Sequence, residues 1–384
     1  MSIKRGVAAP CFAEDPMALV DLAVEAEQAG FDGFFLWDHM TWADDGLGPS
    51  IVDPWAVLSV IAVRTERIII GPMITPVSRR RPWVLARQTV TLDLLASGRT
   101  VFGAGLGAPA RGDFAIFGEE TDNRARAGML DEGLDLMARL WTGDVVDFRG
   151  EHFQVEPVRF TPTPFNGARI PVWVGGVLPS TAGMRRAARW DGAVPIRYDA
   201  AGLARPPARD IALVRDLTIE RRGNVDGFDL VVWAEVAQDP VAVAAELPAY
   251  GEAGTTWWIE TARPGRDEEW YANLRSRISA GPAGRPAVDL GHTCGAARPP
   301  PSRRRVHAHE PIAGKKPFTV PMLRAAARSR LNCLPWWLSS AIISAMPITA
   351  RAEISGDSNG NPYRFSTARH ASASRSIATE KFSR

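Results

Sequence analysis

Along residues 3 to 282, short apolar runs alternate with longer segments whose apolar positions recur every three or four residues. That alternation predicts repeated βα units around a parallel sheet. Ile3 to Ala9 reads as the first strand and Met17 to Ala29 as its helix, with Leu19, Ala23 and Ala26 on one face and Gly30 as the stop. Phe34 to Trp37 is the second strand, and Asp53-Pro54 starts the following helix with an N-cap and a proline in the first turn. Ile68 to Ile74 is the third strand, and its helix, Trp83 to Leu95, is opened by Pro82 and closed at Ser97-Gly98. The fourth strand reads as Thr100 to Phe102, followed by a glycine-rich loop and a helix over Arg124 to Trp141.

Val145 to Val155 reads as a small inserted hairpin turned at Arg149-Gly150. Pro171 to Val174 with the helix Ser180 to Trp190 makes the fifth pair, and Gly192 to Ile196 opens the sixth, whose helix is the least defined. Leu230 to Val236 with Val241 to Tyr250, and Thr255 to Glu260 with Asp267 to Ile278, complete eight pairs. Eight repeats in about 280 residues are the usual size of a (β/α)8 TIM barrel. An open doubly wound sheet shares the alternation and is the alternative.

Composition divides the chain. Residues 1 to 282 carry a net charge of −9, with Lys4 as their only lysine, whereas residues 283 to 384 carry +11 and four of the six histidines. The periodicity stops near Pro282, and clusters such as ARPPPSRRR follow. Two parts are therefore expected: a barrel over 1–282 and a low-complexity basic tail over 283–384 with too little apolar surface to order itself. The tail's arginines form no helical stripe and have no aromatic platform, which argues against nucleic-acid binding. Leu331 to Ile348 is interrupted by Pro335 and Pro347, which argues against a membrane span. Cys11, Cys294 and Cys333 lie far apart, so neither a disulfide framework nor a metal site is expected, and no signal-peptide pattern precedes the first strand. A cytoplasmic location fits.

In a barrel, chemistry collects just beyond the C-terminal ends of the strands. His39, one of two histidines before residue 283, follows the second strand beside Asp38. It could exchange a proton or hydrogen-bond a cofactor ring; equally, Asp38 could cap a turn and hold the imidazole. Gly71-Pro-Met-Ile-Thr75-Pro76 reads either as a bulge that presses backbone against a flat ring or as a plain strand end. Arg79-Arg80-Arg81 is a solvated charge run, or attracts an anionic cofactor tail. Gly103 to Ala108 satisfies G-x-G-x-x-A with Asp122 beyond it, near the distance expected of a ribose-binding acid. A loop at Pro109 to Asp113 follows where a helix should open, however, so a nicotinamide site is rejected. Gly175-Gly176 leading to Ser180 is a tight turn or, the reading favoured here, a seat for a phosphate monoester, with Arg197 as countercharge.

The segments AVEAEQAGFDGFFLWDH, DPWAVLSVIAVRTERIIIGPMITPVSRRRPWVLARQTVTLDLLASGR, GAGLG, LDEGLDLMARLWTG, PVWVGG and RAARWDG resemble the luciferase-like flavin-dependent oxidoreductases, the bacterial luciferase and coenzyme F420-dependent reductase superfamily. The resemblance spans residues 3 to 282. It implies a (β/α)8 barrel with insertions that binds FMN or F420 at its C-terminal mouth. Asp38 and His39 then face the ring and the active centre, and Met73 and Thr75 lie in the segment that in relatives forms a bulge behind the ring. Gly105 belongs to the matching GAGLG, and Gly175, Gly176 and Ser180 match the phosphate turn. It further implies a small organic substrate, oxidoreductase chemistry of the monooxygenase type, a flavin or F420 reductase as partner and a homodimer. Hydride transfer without oxygen, or a cofactor-binding subunit without turnover, are the alternatives. F420-dependent sugar-phosphate dehydrogenases resemble the chain around Asp38-His39, but where they carry a catalytic glutamate this sequence has Ala108, a departure from that branch.

Overall fold

A computed structural model describes residues 2–42, 48–108, 110–167, 169–199, 202–235, 240–262 and 269–284. Strands β1 (Lys4–Ala9), β2 (Gly33–Leu36), β3 (Ile69–Pro72), β4 (Thr75–Pro76) and β5 (Phe102–Gly105) alternate with helices α1 (Pro16–Gln28), α2 (Pro54–Arg64) and α3 (Pro82–Leu95). The short helix α4 (Ala110–Asp113) and the long helix α5 (Asn123–Trp141) follow β5. An antiparallel hairpin, β6 (Val145–Arg149) and β7 (Gln154–Arg159), precedes β8 (Val172–Val177), α6 (Ala182–Ala187), β9 (Gly192–Asp199) and β10 (Gly202–Ala204). Helix α7 (Ala208–Arg222), β11 (Asp229–Glu235), α8 (Pro240–Ala253), β12 (Trp257–Thr261) and α9 (Glu269–Ser279) complete the described chain.

Helices α1, α2 and α5 start where short acidic side chains satisfy free backbone N–H groups. Asp15 accepts from Met17 N at 2.8 Å, Asp53 from Ala56 N at 2.9 Å, and Asp122 from Arg124 N and Ala125 N at 3.0 and 2.8 Å. Asp122 is thus the N-cap of α5, which accounts for it without any ribose.

Parallel pairing in the order β3-β2-β1-β12-β11-β9-β8-β5-β4 makes a nearly closed barrel of nine strands with helices outside. With β3 and β4 counted as two parts of one interrupted strand, the eight expected βα units are recovered. Ile70 bridges Thr100 in parallel and draws the ends of the sheet together. Strand alternation divides the apolar residues into two layers. Phe35, Met73, Trp173, Val231, Trp257 and Ile259 fill the barrel interior, and Leu36, Phe102, Val174, Val232 and Trp258 pack outward against the helices.

Several boundaries differ from the sequence reading. The third strand breaks at a cis Met73–Ile74 peptide, so β3 pairs with β2 and β4 with β5. Strand β5 begins at Phe102 and runs through the glycines to Gly105, because the strands meet too closely for side chains. A Cβ on Gly71 would lie 1.8 Å from the Val101 carbonyl oxygen, and one on Gly103 2.3 Å from that of Pro72. Strand β8 likewise continues through Gly175-Gly176, and its helix is six residues long rather than spanning Ser180 to Trp190. Strand β9 extends to Asp199 with an antiparallel partner in β10, and the least defined helix is α7. Of the segment expected as a loop, Pro109 lies outside the described residues and Ala110–Asp113 is α4. Of the expected tail, only Ala283 and Gly284 fall within the described residues, and the Ala283 carbonyl accepts from Arg5 Nε at 3.1 Å. Among the described residues no helix is long and apolar enough to cross a membrane.

Candidate active site

Strand β2 is followed by Trp37-Asp38-His39, where the chain leaves the sheet at the C-terminal mouth of the barrel. Trp37 N still donates to Ala9 O at 3.0 Å, so the next two side chains project from a fixed backbone. The Asp38 carboxylate is buried and fully engaged. Arg79 Nη2 donates to Oδ1 at 2.7 Å, and Arg80 Nη2 donates to Oδ1 and Oδ2 at 2.9 and 3.0 Å. The Thr75 hydroxyl and the Trp55 indole N–H reach Oδ2 at 2.8 and 3.1 Å. Burial pushes this carboxyl upward, but the Arg80 and Arg79 guanidiniums and the hydrogen bonds from Arg80 and Thr75 outweigh it and hold Asp38 below the ordinary carboxylate range.

His39 does not rely on Asp38. Its Nδ1 lies 2.8 Å from Oδ2 of Asp113, the last residue of α4, whose other oxygen accepts Met40 N at 2.8 Å and Thr41 N at 3.1 Å. Arg79 Nη1 pairs with the same Asp113 Oδ2 at 2.9 Å, so one guanidinium joins both carboxylates. Asp113 is also held low: burial raises it, and the His39 hydrogen bond and charge, Arg79 and Met40 N–H together lower it further than burial lifts it. An ionised carboxylate can only accept, so Nδ1 carries the proton and Nε2 is the ring's remaining polar atom. The nearby Cys11 thiol is pushed up to about 12 by burial, which keeps it protonated and unreactive.

These groups border a cavity of about 140 Å³ that opens to about 670 Å³ with its mouth included. It is lined by Asp38 and His39, by a bed of Met73, Ile74, Pro76, Gly105, Leu106, Gly107 and Ala108, and by Gly175, Gly176, Val177, Ile196, Tyr198 and Trp233. The bed exists because Ile74 projects onto glycines of two strands. A Cβ on Gly175 would meet Ile74 Cδ1 at 2.3 Å, and one on Gly105 would meet Ile74 Cγ2 at 2.9 Å. At Gly176 the missing side chain admits α6, since a Cβ there would lie 2.8 Å from Gly183 Cα.

The cavity therefore brings together Asp38, His39, Met73, Gly105, Ala108, Gly175 and Gly176, and it leaves out Thr75, Ser180 and Arg197. Thr75 lies behind it as a donor to Asp38, and Ser180 is exposed away from it. Arg197 alternates outward from β9 and pairs with Asp210, so it supplies no countercharge to the cavity. Arg79 and Arg80 point inward to the carboxylates instead of offering charge to an anionic tail. His152 lies at the hairpin turn, whose backbone N–H groups are accepted by Glu132. The sequence reading missed Asp113, which sits 74 residues from its imidazole partner. The available signal was an acid placed just beyond the fourth strand.

Comparison with known proteins agrees with this architecture. The family model described as luciferase-like monooxygenase matches residues 4–205. The F420-dependent glucose-6-phosphate dehydrogenase of Nakamurella multipartita is 33% identical over 167 residues, 43% of this chain and 48% of its own length. The enzyme of the same name from Nocardia farcinica is 35% identical over 167 residues, 42% and 49% of the two chains. The chain thus spans about half the length of the curated relatives it matches. Among solved structures, an F420-dependent secondary alcohol dehydrogenase with an F420-acetone adduct superposes with a TM-score of 0.61 at 17% identity, covering 74% of this chain and 100% of that one. The oxygenating constituent of 3,6-diketocamphane monooxygenase from Pseudomonas putida, with FMN, gives 0.58 at 16% identity, covering 74% and 98%. Those two likenesses concern the fold; the family match, covering more than half of the sequence, shows that the chain belongs to the luciferase-like monooxygenase family.

Proposed function

We propose that this protein is an F420-dependent oxidoreductase that exchanges a hydride with a small organic substrate at the barrel mouth, with His39 handling the accompanying proton. The observation that carries this reading is the imidazole at the cavity wall, fixed through Nδ1 by an ionised buried Asp113 so that Nε2 remains for proton exchange. Such a partner fixes both ring orientation and tautomer, as a general acid or base requires. The sequence reading leaned towards oxygen chemistry; the relatives at 33% and 35% identity, both named for F420, tilt the choice towards hydride transfer.

The residues present fit a flat heteroaromatic ring. The bed of Met73, Ile74 and Gly105 is apolar, one edge is polar through His39, and the buried indole N–H groups of Trp37 and Trp233 have no hydrogen-bond partner among the described residues. Gly175, Gly176 and Val177 would border the ring from the opposite side. Bound there, F420 supplies a carbon that takes up or releases a hydride. His39 would take the proton from a substrate hydroxyl or return it to a carbonyl, Asp113 would hold the imidazole, and Arg79 would keep Asp113 ionised. Asp38 acts from behind, as the anchor of the two arginines.

Absorption titrations of the purified chain with F420 and with FMN test this. F420 is expected to bind in the micromolar range or tighter and FMN more weakly, and His39→Ala is expected to retain F420 while losing turnover. Binding of FMN alone would transfer the reading to oxygen chemistry. F420 that binds but is never reduced or oxidised would make the chain a carrier subunit.

A further inference from the structure

We infer that the substrate side of this cavity receives a neutral molecule with an aromatic or branched apolar body, and not a phosphorylated one; this rests on the oxidoreductase reading above. Two independent features lead there. The first is a ledge of aromatic rings around the imidazole. Trp42 stands edge-on to His39 with centroids 4.9 Å apart, and it packs on Trp37 at 5.6 Å and Phe12 at 5.4 Å. Trp37 in turn meets Trp233 at 5.5 Å in a T-shaped contact, and Trp233 lines the cavity. Trp42, in contact with the lining residue His39, remains 39% exposed, and Tyr198, which lines the cavity, is 56% exposed, so apolar ring surface stands free beside the imidazole and on the cavity wall.

The second feature is the disposition of charge. Among the described residues no lysine or arginine lines the cavity. Arg79 and Arg80 balance Asp38 and Asp113, and Arg197 faces Asp210. Lys4, the only lysine of residues 1 to 282, lies over Trp257 at the start of β1, at the other end of the barrel. A phosphate dianion entering here would give up its hydration beside two carboxylates that are already neutralised, with no cation among the described wall residues to receive it. An alcohol or carbonyl needs only the one donor or acceptor that His39 Nε2 provides, while its body displaces water from the rings.

The test is tryptophan fluorescence of the full chain, with and without F420, titrated with benzyl alcohol and with glucose 6-phosphate. Benzyl alcohol is expected to give a saturable change and glucose 6-phosphate none at concentrations about tenfold higher. Trp42→Ala should weaken the benzyl alcohol response roughly three- to tenfold, the loss of one aromatic contact, with Trp42→Phe recovering part of it. A saturable response to glucose 6-phosphate, a response to neither probe, or Trp42→Ala behaving as the parent would overturn the inference. Failure of F420 to bind would remove the oxidoreductase reading instead, and the titration without F420 would still decide what the rim accepts.

Discussion

The two ends of the barrel bury acids in opposite ways. At the mouth, Asp38 and Asp113 are enclosed, yet guanidinium groups and N–H donors keep both below the ordinary carboxylate range. At the floor, Asp229 at the start of β11 accepts Thr256 Oγ1 at 2.8 Å and Trp173 Nε1 at 3.1 Å, with Lys4 nearby. Neutral donors and one cation do not offset burial there, and the Asp229 carboxyl is pushed up. The difference teaches that depth alone does not set the charge of a buried acid; the positive groups and N–H donors turned towards it count as well. The mouth is built to keep two negative charges beside an imidazole, and the floor is a tryptophan plug that tolerates one carboxyl.

The contrast breaks most severely at Arg79. Replacing it with alanine leaves Asp113 without a guanidinium and Asp38 with one, and a loss of about 3–5 kcal/mol is expected in urea unfolding, as when one partner of a buried ion pair is removed. A cost near that of an exposed arginine would show that the mouth acids do not depend on it. Next in size is Asp113→Asn, which keeps the shape but no longer dictates which nitrogen of His39 carries the proton. Turnover should drop on the order of 100-fold, with a changed pH profile, while the cofactor titration keeps its midpoint. Unchanged turnover would leave His39 without a positioning partner.

The smallest effect sharpens the comparison through pH. Carboxyls depressed in the folded state contribute stability above their ordinary value near 3.8, and this is lost as pH falls through the folded value. Asp229 has the opposite sign: its contribution is present at low pH and disappears as pH rises through its elevated folded value. The parent should therefore gain on Asp229→Asn as pH falls from neutrality towards about 4. Urea midpoints at several pH values measure this, and a constant difference between the two chains would remove the distinction between the ends.

Much of the barrel was legible because apolar spacing and helix caps are local. Asp53 marks a helix start from the sequence alone, and the run from Ile3 to Ala9 contains β1 within one residue. What was hidden is what depends on pairs distant in sequence. Gly103 and Gly105 looked like a loop because their value lies in contacts with Pro72 and Ile74 on another strand. Arg79 and Arg80 looked like a solvated run because nothing local reveals that a carboxylate at the end of β2 faces them. His39 was found from its place at a strand end, but the alternative that Asp38 holds it does not apply: the acid that meets the ring is Asp113, from α4.

That origin has a consequence for divergence. The imidazole is delivered by a strand end and its carboxylate by a four-residue helix inside a connection. A one-residue deletion between Gly107 and Asp113 would withdraw the acid and leave every barrel strand intact. Homologous chains sharing the Trp-Asp-His triplet can thus drift apart in proton chemistry through a change of connection length, with the scaffold none the wiser.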